Sequence, residues 1–154
     1  VFCRLDECTR PSGATARCQR VTILVYAFHF FQLPQDHAMS IQRLHTNARM
    51  SQAVIANGFV FLAGQVASDT TKDVAGQTQE ILDKIDALLA EAGADKTKIV
   101  QATIWLADHT TFEQMNSVWD AWVPQGHAPA RACVESALAR PAFTVEIGVV
   151  AVVA

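Results

Sequence analysis

The sequence predicts an α+β fold in which two amphipathic helices cover one face of a β-sheet. Asn57-Gly58 separates two β-rich runs, residues 51–56 and 59–66, and both turn residues tolerate positive φ, so a hairpin is predicted there. Apolar residues recur at helical spacing over residues 73–92 and again after Thr110. The predicted order is strand, strand, helix, strand, helix, strand, strand.

The first predicted helix covers residues 73–92. Its apolar residues recur at intervals of three and four positions and form one side of the helix. They are Val74, Ile81, Leu82, Ile85, Leu88 and Leu89. Gly93 follows the last periodic residue and is typical of a C-terminal cap. One more short strand is predicted over residues 42–46, before the hairpin.

The next two elements are a strand and a second helix. Residues 99–107 alternate between apolar and polar side chains, which predicts a strand. The helix is predicted to begin near Thr110 or Thr111, since Glu113 or Gln114 follows three residues later in capping-box spacing. One stripe of this helix is interpreted as core and not as a cofactor site: Phe112, Met115, Val118, Trp119 and Trp122.

Two more strands are predicted near the C-terminal end. In the first, residues 129–135, a period of two places Arg131 and Cys133 on the same side. The second, residues 142–153, is apolar almost throughout, with Glu146 as its only charge. That pattern is typical of a strand covered on both faces.

An antiparallel hairpin between these two strands, turning near Ala139-Arg140, would place Cys133 opposite Glu146. Arg131, Cys133 and Glu146 are therefore predicted to cluster in a mostly apolar setting. Two interpretations stay open. One is a cross-strand ion pair, whose burial cost and Coulomb attraction nearly cancel. The other is a small-molecule site in which Arg131 binds a carboxylate and Glu146 handles a proton or a water.

The net charge of the chain limits the classes of molecule that it is expected to bind. The chain of 154 residues has a net charge of -3 and a pI near 5.9, so it has no basic surface for nucleic acid, and binding to anionic membranes is equally unsupported. Two helices cover only one face of the predicted sheet, and the other face still carries apolar residues. We therefore expect a closed homo-oligomer with its sites at the seams between subunits.

Residues 1–38 differ from the rest of the chain. They contain three of the four cysteines and no helical or alternating period. They are interpreted as a leader or upstream extension outside the fold, and residues 39–154 as a single domain. The apolar run over residues 21–31 is too short to span a bilayer but long enough for a signal-peptide core. Cys133 is then a lone thiol, which favours a reducing, cytoplasmic location.

Several segments carry a family resemblance. The most specific is Pro129-Ala130-Arg131-x-Cys133-Val134, followed by Val145-Glu146-Ile147. The segments 61–66, 103–108 and 115–116 agree in order and spacing. Over residues 41–153 the sequence resembles the RidA superfamily, also called the YjgF family, and segments 119–122 and 126–129 bring it closer to the YoaB-like branch.

The resemblance implies a chorismate-mutase-like fold, a mixed β-sheet with two helices on one face, assembled as a homotrimer with clefts between subunits. Archetypal members hydrolyse reactive enamines and imines, such as 2-aminoacrylate and 2-iminopropanoate, to 2-keto acids and ammonia. They use no metal or organic cofactor. In this chain Arg131 would hold the substrate carboxylate, Glu146 would activate water, Cys133 would line the pocket, Gly64 would lie against the ligand, and Asn116 would support it.

Two substrate-facing positions depart from the type member. Met50 stands where that member has a tyrosine, and Ala63 stands where it has a serine, so two hydroxyls are missing. This keeps open a non-catalytic trimer that binds small carboxylates such as keto acids, as a sensor or partner module. An endoribonuclease, a label long attached to the family, is disfavoured by the acidic balance.

Overall fold

The computed structural model describes residues 40–153, so the leader prediction for residues 1–38 lies outside the described residues. The described part forms these elements in order: β1 (Gln42–Leu44), β2 (Ala53–Ala56), β3 (Phe59–Leu62), α1 (Val74–Glu91), β4 (Ile99–Leu106), α2 (Phe112–Trp122), β5 (Ala130–Glu135) and β6 (Val145–Val152). Short 3-10 turns precede β4 and α2. The predicted α+β order and the short first strand are confirmed.

The strands form one mixed sheet in the order β1-β2-β3-β6-β4-β5. Every neighbouring pair is antiparallel except β4 and β5, which run parallel. The helix α2 makes the connection that a parallel pair needs, because a tight turn cannot join parallel strands. The apolar strand β6 lies inside the sheet, whereas β5 lies at its edge.

The predicted hairpin between β5 and β6 is wrong, because β4 lies between them. Ile104 pairs with Cys133 on one side and with Ile147 on the other, while Glu146 pairs with Trp105. Cys133 therefore does not face Glu146. An interior position gives the long apolar strand β6 a hydrogen-bonded neighbour along both edges, and it leaves the more polar β5 at the solvent-exposed edge.

The predicted turn between β2 and β3 is confirmed. Asn57 and Gly58 have φ values of 50° and 77°, in the left-handed region that a two-residue hairpin of this kind requires. The pairing of Ala56 with Phe59 follows directly from this turn.

The helix α1 begins and ends as its sequence predicts. The Asp73 side chain accepts a hydrogen bond from the Gly76 amide at 2.8 Å, and Gly93 has φ of 80° just past the C-terminal cap. Its apolar stripe is buried against the sheet together with Met115, Trp119 and Trp122 of α2. None of the helices within residues 40–153 is long and apolar enough to cross a membrane.

The predicted capping box of α2 does not form. The side chain of Thr111 makes no capping bond to the helix and instead donates to the Asp108 carbonyl at 2.6 Å. Asp108 itself accepts from the Thr110 amide at 2.8 Å and caps the preceding 3-10 turn. The helix starts at Phe112 because this turn takes over the polar groups that a capping box would use.

One face of the sheet carries no helix. Apolar side chains on it remain exposed, among them Phe59 at 39%, Phe61 at 47%, Val134 at 47% and Val152 at 36%. The prediction that the two helices cover a single face is confirmed. Coverage of the open face by further copies of the chain stays a prediction.

A carboxylate on α1 holds the segment that leads from β3 to this helix. Glu80 accepts hydrogen bonds from the backbone amides of Ser68 and Asp69, and ion-pairs with Lys72 at 3.2 Å and Lys84 at 3.1 Å. The Ser68 amide contributes most, and together these donors lower the pKa of Glu80 from 4.5 to about 2.

We expect Glu80→Gln to make the free energy of unfolding less dependent on pH in the acid range. Because the folded pKa is below the unfolded value, the ionised Glu80 stabilises the fold fully above about pH 4.5 and loses that effect as the pH falls towards about 2. Urea unfolding at fixed protein concentration should show wild type more stable than the variant at pH 7, with the gap closing at low pH.

The matched control for this prediction is Asp120→Asn, which removes an exposed carboxylate on α2 that has no ion pair among the described residues. It should change stability little at any pH. A constant gap between wild type and Glu80→Gln from pH 7 to pH 3 would contradict the proposed role of the Glu80 charge.

Candidate functional site

Arg131 is held in a defined orientation by α2. Its Nη1 donates a hydrogen bond to Asn116 Oδ1 at 2.9 Å, and its guanidinium lies over the rings of Trp119, at 5.3 Å, and Phe112, at 5.9 Å from their centroids. A guanidinium has five N–H donors, and no other described residue accepts from those of Arg131. The remaining donors are therefore free to bind a carboxylate in a two-pronged manner.

Cys133 follows on the same side of β5, as the period of two predicts. It is half-buried and packs against the core. Burial raises the pKa of its thiol, and the charge of Arg131 opposes that effect only in part. The thiol is protonated near neutral pH, which suits a pocket wall and not a thiolate nucleophile.

A His–Glu pair lies at the end of β5, where Glu135 meets His109 of the 3-10 turn before α2. His109 Nδ1 and Glu135 Oε2 are 2.8 Å apart, and both side chains are largely exposed. No local sequence pattern points to His109, because only the parallel pairing of β4 with β5 brings it to Glu135. Within residues 40–153, no group of three or more His, Cys, Asp or Glu side chains could hold a metal ion.

Glu146 lies on the helix-free face of the sheet. Its neighbours in sequence, Val145 and Ile147, are fully buried on the opposite face, and Trp105 is its partner across β4. A Cβ atom added to Gly64 would overlap the Glu146 carboxylate. Gly64 is therefore the residue that leaves room for this carboxylate, which gives a structural reason for a glycine at the position.

The backbone beside Glu146 is fixed by its neighbours. Gln65 and Ile147 exchange two backbone hydrogen bonds, at 2.8 and 3.0 Å. The Gln65 side chain donates to the Ala63 carbonyl at 3.0 Å, and the Ala63 amide donates to the Gln52 carbonyl at 2.9 Å. These bonds position Ala63 and Gly64 against β6.

Met50 lies in the loop between β1 and β2 and is 41% exposed. Its backbone exchanges hydrogen bonds with Asn47, whose side-chain oxygen accepts from the Met50 amide at 3.0 Å. The loop is thus ordered by Asn47, and the thioether of Met50 is available to solvent or to another surface.

The predicted site residues form two groups in one subunit. Arg131, Asn116 and Cys133 lie on the side of the sheet that packs against the helices, while Glu146 and Gly64 lie on the open side. The single chain keeps the arginine group and the carboxylate group apart, with β4 between them.

We expect Gly64→Ala to push the flexible end of the Glu146 side chain out of its rotamer and to lower the free energy of unfolding by about 1 kcal/mol, because the new methyl group needs the space that the carboxylate occupies. In the Glu146→Ala background the same change should cost within about 0.5 kcal/mol. Urea unfolding of the four proteins measures this coupling.

Gly148→Ala is the matched control, since its added Cβ would meet the Trp105 ring at 3.5 Å and Gly64 Cα at 3.9 Å, both ordinary contacts, and no Glu146 atom lies nearer. This substitution should change the free energy of unfolding by the same amount with and without the Glu146 side chain. If Gly64→Ala costs the same in both backgrounds, the close approach to Glu146 is not the reason for the glycine.

Known proteins resemble this chain over its whole described part. The family model described as Endoribonuclease L-PSP matches residues 40–153. The RutC family protein YoaB of Escherichia coli is 44% identical over 115 residues, which cover 75% of this chain and 100% of YoaB. A RutC family protein of Haemophilus ducreyi is 42% identical over 113 residues, covering 73% and 97% of the two chains.

Solved structures of similar proteins have the same fold. A member of the YjgF protein family from Neisseria meningitidis superposes with a TM-score of 0.74 at 47% identity, covering 77% of this chain and 98% of that one. A putative translation initiation inhibitor from Salmonella typhimurium has a TM-score of 0.70 at 41% identity, covering 75% and 99%. The matched region contains Arg131, Glu146 and every other predicted site residue, and the chain belongs to the RidA/YjgF superfamily, as those motifs predicted.

Proposed function

We propose that this protein hydrolyses reactive 2-imino acids and their enamine tautomers to 2-keto acids and ammonia. The observation that carries the proposal is the orientation of Arg131. Asn116 uses one of its donors and two aromatic rings flank it, which leaves the others to bind the carboxylate common to such substrates. Family membership supports the reaction class but does not identify a substrate.

The reaction needs little from the protein beyond orientation and one proton-transfer group. The carbon of a C=N bond is already electrophilic, so a water oxygen can form the new C–O bond once Glu146 accepts a proton from it. With the imine nitrogen protonated, this addition gives a carbinolamine, and Glu146 returns the proton to its nitrogen. The C–N bond then breaks as the hydroxyl releases its own proton to Glu146 and becomes the keto carbonyl. The products are a 2-keto acid and ammonia, and the protonated Cys133 thiol takes no covalent part.

A working site would require two subunits. Arg131 and Glu146 lie on opposite faces of one sheet, so a substrate can meet both only if they come from different copies of the chain. The exposed apolar residues of the helix-free face support such an assembly, because a patch of this kind is typical of an interface. We propose a homotrimer in which each neighbouring pair of subunits shares one cleft.

A second candidate is a trimer that binds 2-keto acids without turning them over. Met50 and Ala63 support it, because neither can supply the hydroxyl that the resemblance leads us to expect beside the substrate. Both candidates need Arg131, and they differ only in whether ammonia is released.

Endoribonuclease activity, named in the description of the matching family model, has less support. Phosphate contacts dominate binding to RNA, and a chain with a net charge of -3 offers little attraction for them. In the described part, two of the histidines, His45 and His109, are each paired with a glutamate and lie on different elements.

We expect the full chain to accelerate loss of 2-iminopropanoate generated in situ from alanine by an amino-acid oxidase. Arg131→Ala should reduce kcat/KM by at least about a hundredfold, because the substrate carboxylate loses its charged partner. Glu146→Gln should lower kcat by about a hundredfold or more, because the amide cannot accept the proton. Ammonia release measures both effects.

Arg140→Ala is the matched control, since this exposed arginine lies over the Phe143 ring, away from α2, and should leave turnover unchanged. If the wild type binds 2-keto acids but releases no ammonia, the non-catalytic candidate is correct. If Arg131→Ala unfolds or dissociates, the arginine serves structure and the proposed anchor is wrong.

Mixing the two inactive variants tests the shared cleft. In trimers assembled at random from Arg131→Ala and Glu146→Gln subunits, each cleft has an intact Arg131 and an intact Glu146 in about one case in four. Refolding an equal mixture should therefore restore about a quarter of wild-type activity. No recovery in mixed trimers, demonstrated by mass, would show that the two residues act within one subunit.

A further inference from the structure

A hollow lies beside α1, outside the proposed site. It has a volume of about 250 Å³ and is mainly apolar. Its lining includes Ala87 and Leu88 of α1, together with Gln52 and Gln65 from the ends of β2 and β3. The volume is somewhat below the roughly 300–1,000 Å³ of common ligand pockets, so an occupant would be small.

Two side-chain amides in this hollow leave one acceptor and one donor unpaired. Gln65 is only 7% exposed, and its Nε2 donates to Gln52 Oε1 at 2.9 Å and to the Ala63 carbonyl at 3.0 Å. Both of its N–H groups are thus used, while its Oε1 accepts no hydrogen bond from a described residue. The NH₂ group of Gln52 likewise donates to none within residues 40–153.

The unpaired oxygen of Gln65 is not fully buried. Among the described side chains, the fully buried polar atom without a partner is Thr144 Oγ1, so Gln65 Oε1 keeps some exposure. Gln65 also lines the hollow, which gives this oxygen a route to a bound molecule. A buried amide with a free oxygen calls for a donor from an occupant or from water.

Charges around the hollow are already paired. Lys84 Nζ donates to the Val66 carbonyl at 2.9 Å and to Ser68 Oγ at 2.7 Å, and it also ion-pairs with Glu80. His45 Nε2 and Glu91 Oε2 lie 2.7 Å apart. Lys84 is held by three acceptors and Glu91 contacts His45, so the ionisable side chains of the lining already have partners and the hollow favours a neutral ligand.

We propose that this hollow binds a small neutral molecule with an adjacent N–H and C=O, such as a lactam or a cyclic urea. The ligand N–H donates to Gln65 Oε1, and its carbonyl accepts from the Gln52 NH₂ group, so the pair of hydrogen bonds resembles that between two amides. Carbon atoms of the ligand ring pack on Ala87 and Leu88. Because Gln65 follows Gly64, the occupant contacts the segment that lies against Glu146.

The test is a titration of the ¹⁵N-labelled full chain with δ-valerolactam, followed through the side-chain NH₂ signals of Gln52 and Gln65. We expect saturable shifts with a Kd on the order of millimolar, typical of so small a ligand. N-methyl-δ-valerolactam lacks the N–H that Gln65 Oε1 would accept, and it should bind about tenfold more weakly.

Gln52→Glu keeps an acceptor for Gln65 but removes the donor to the ligand carbonyl, so it should weaken lactam binding by about tenfold. Gln114→Glu makes the same charge change on the exposed surface of α2 and should not alter it. Equal binding of both lactams by wild type would overturn the proposal, as would the absence of shifts at Gln52 and Gln65. Equal effects of the two substitutions would also overturn it.

Discussion

Backbone hydrogen bonds tie β6 to β3 along one edge and to β4 along the other. Every second residue of β6, from Val145 to Ala151, is buried beneath the helices, so the strand cannot slip by one residue without exposing the whole set. Glu146 is thereby forced onto the opposite face. The position of the proposed proton-transfer group follows from the register of one interior strand.

The same register separates the two halves of the proposed site. With β4 between β5 and β6, the guanidinium of Arg131 faces α2 and the Glu146 carboxylate faces the helix-free side. A chemistry that needs both groups depends on a neighbouring subunit, and the exposed apolar residues of the open face are suited to bring that subunit close. The proposed assembly and the proposed activity both follow from one strand order.

Gln65 connects the regions on either side of the sheet. Its backbone pairs with Ile147, and its side chain reaches Gln52 and the Ala63 carbonyl. Gly64 is held between these bonds against Glu146. The N–H groups of this buried glutamine are satisfied within the protein, whereas its side-chain oxygen is left for another partner. A small molecule in the adjacent hollow could supply the missing donor.

Local signals in the sequence determined much of the fold. Asn57-Gly58 specified the turn, the apolar spacing and Gly93 specified α1, and the period of two placed Arg131 and Cys133 on one side of β5, because these features depend on neighbouring residues alone. Tertiary structure decided that β4, and not β5, lies beside Glu146. The alternation of apolar and polar residues along each strand fits either β4 or β5 as the neighbour of β6. Only the packing of distant apolar strands under two helices selects between these two orders.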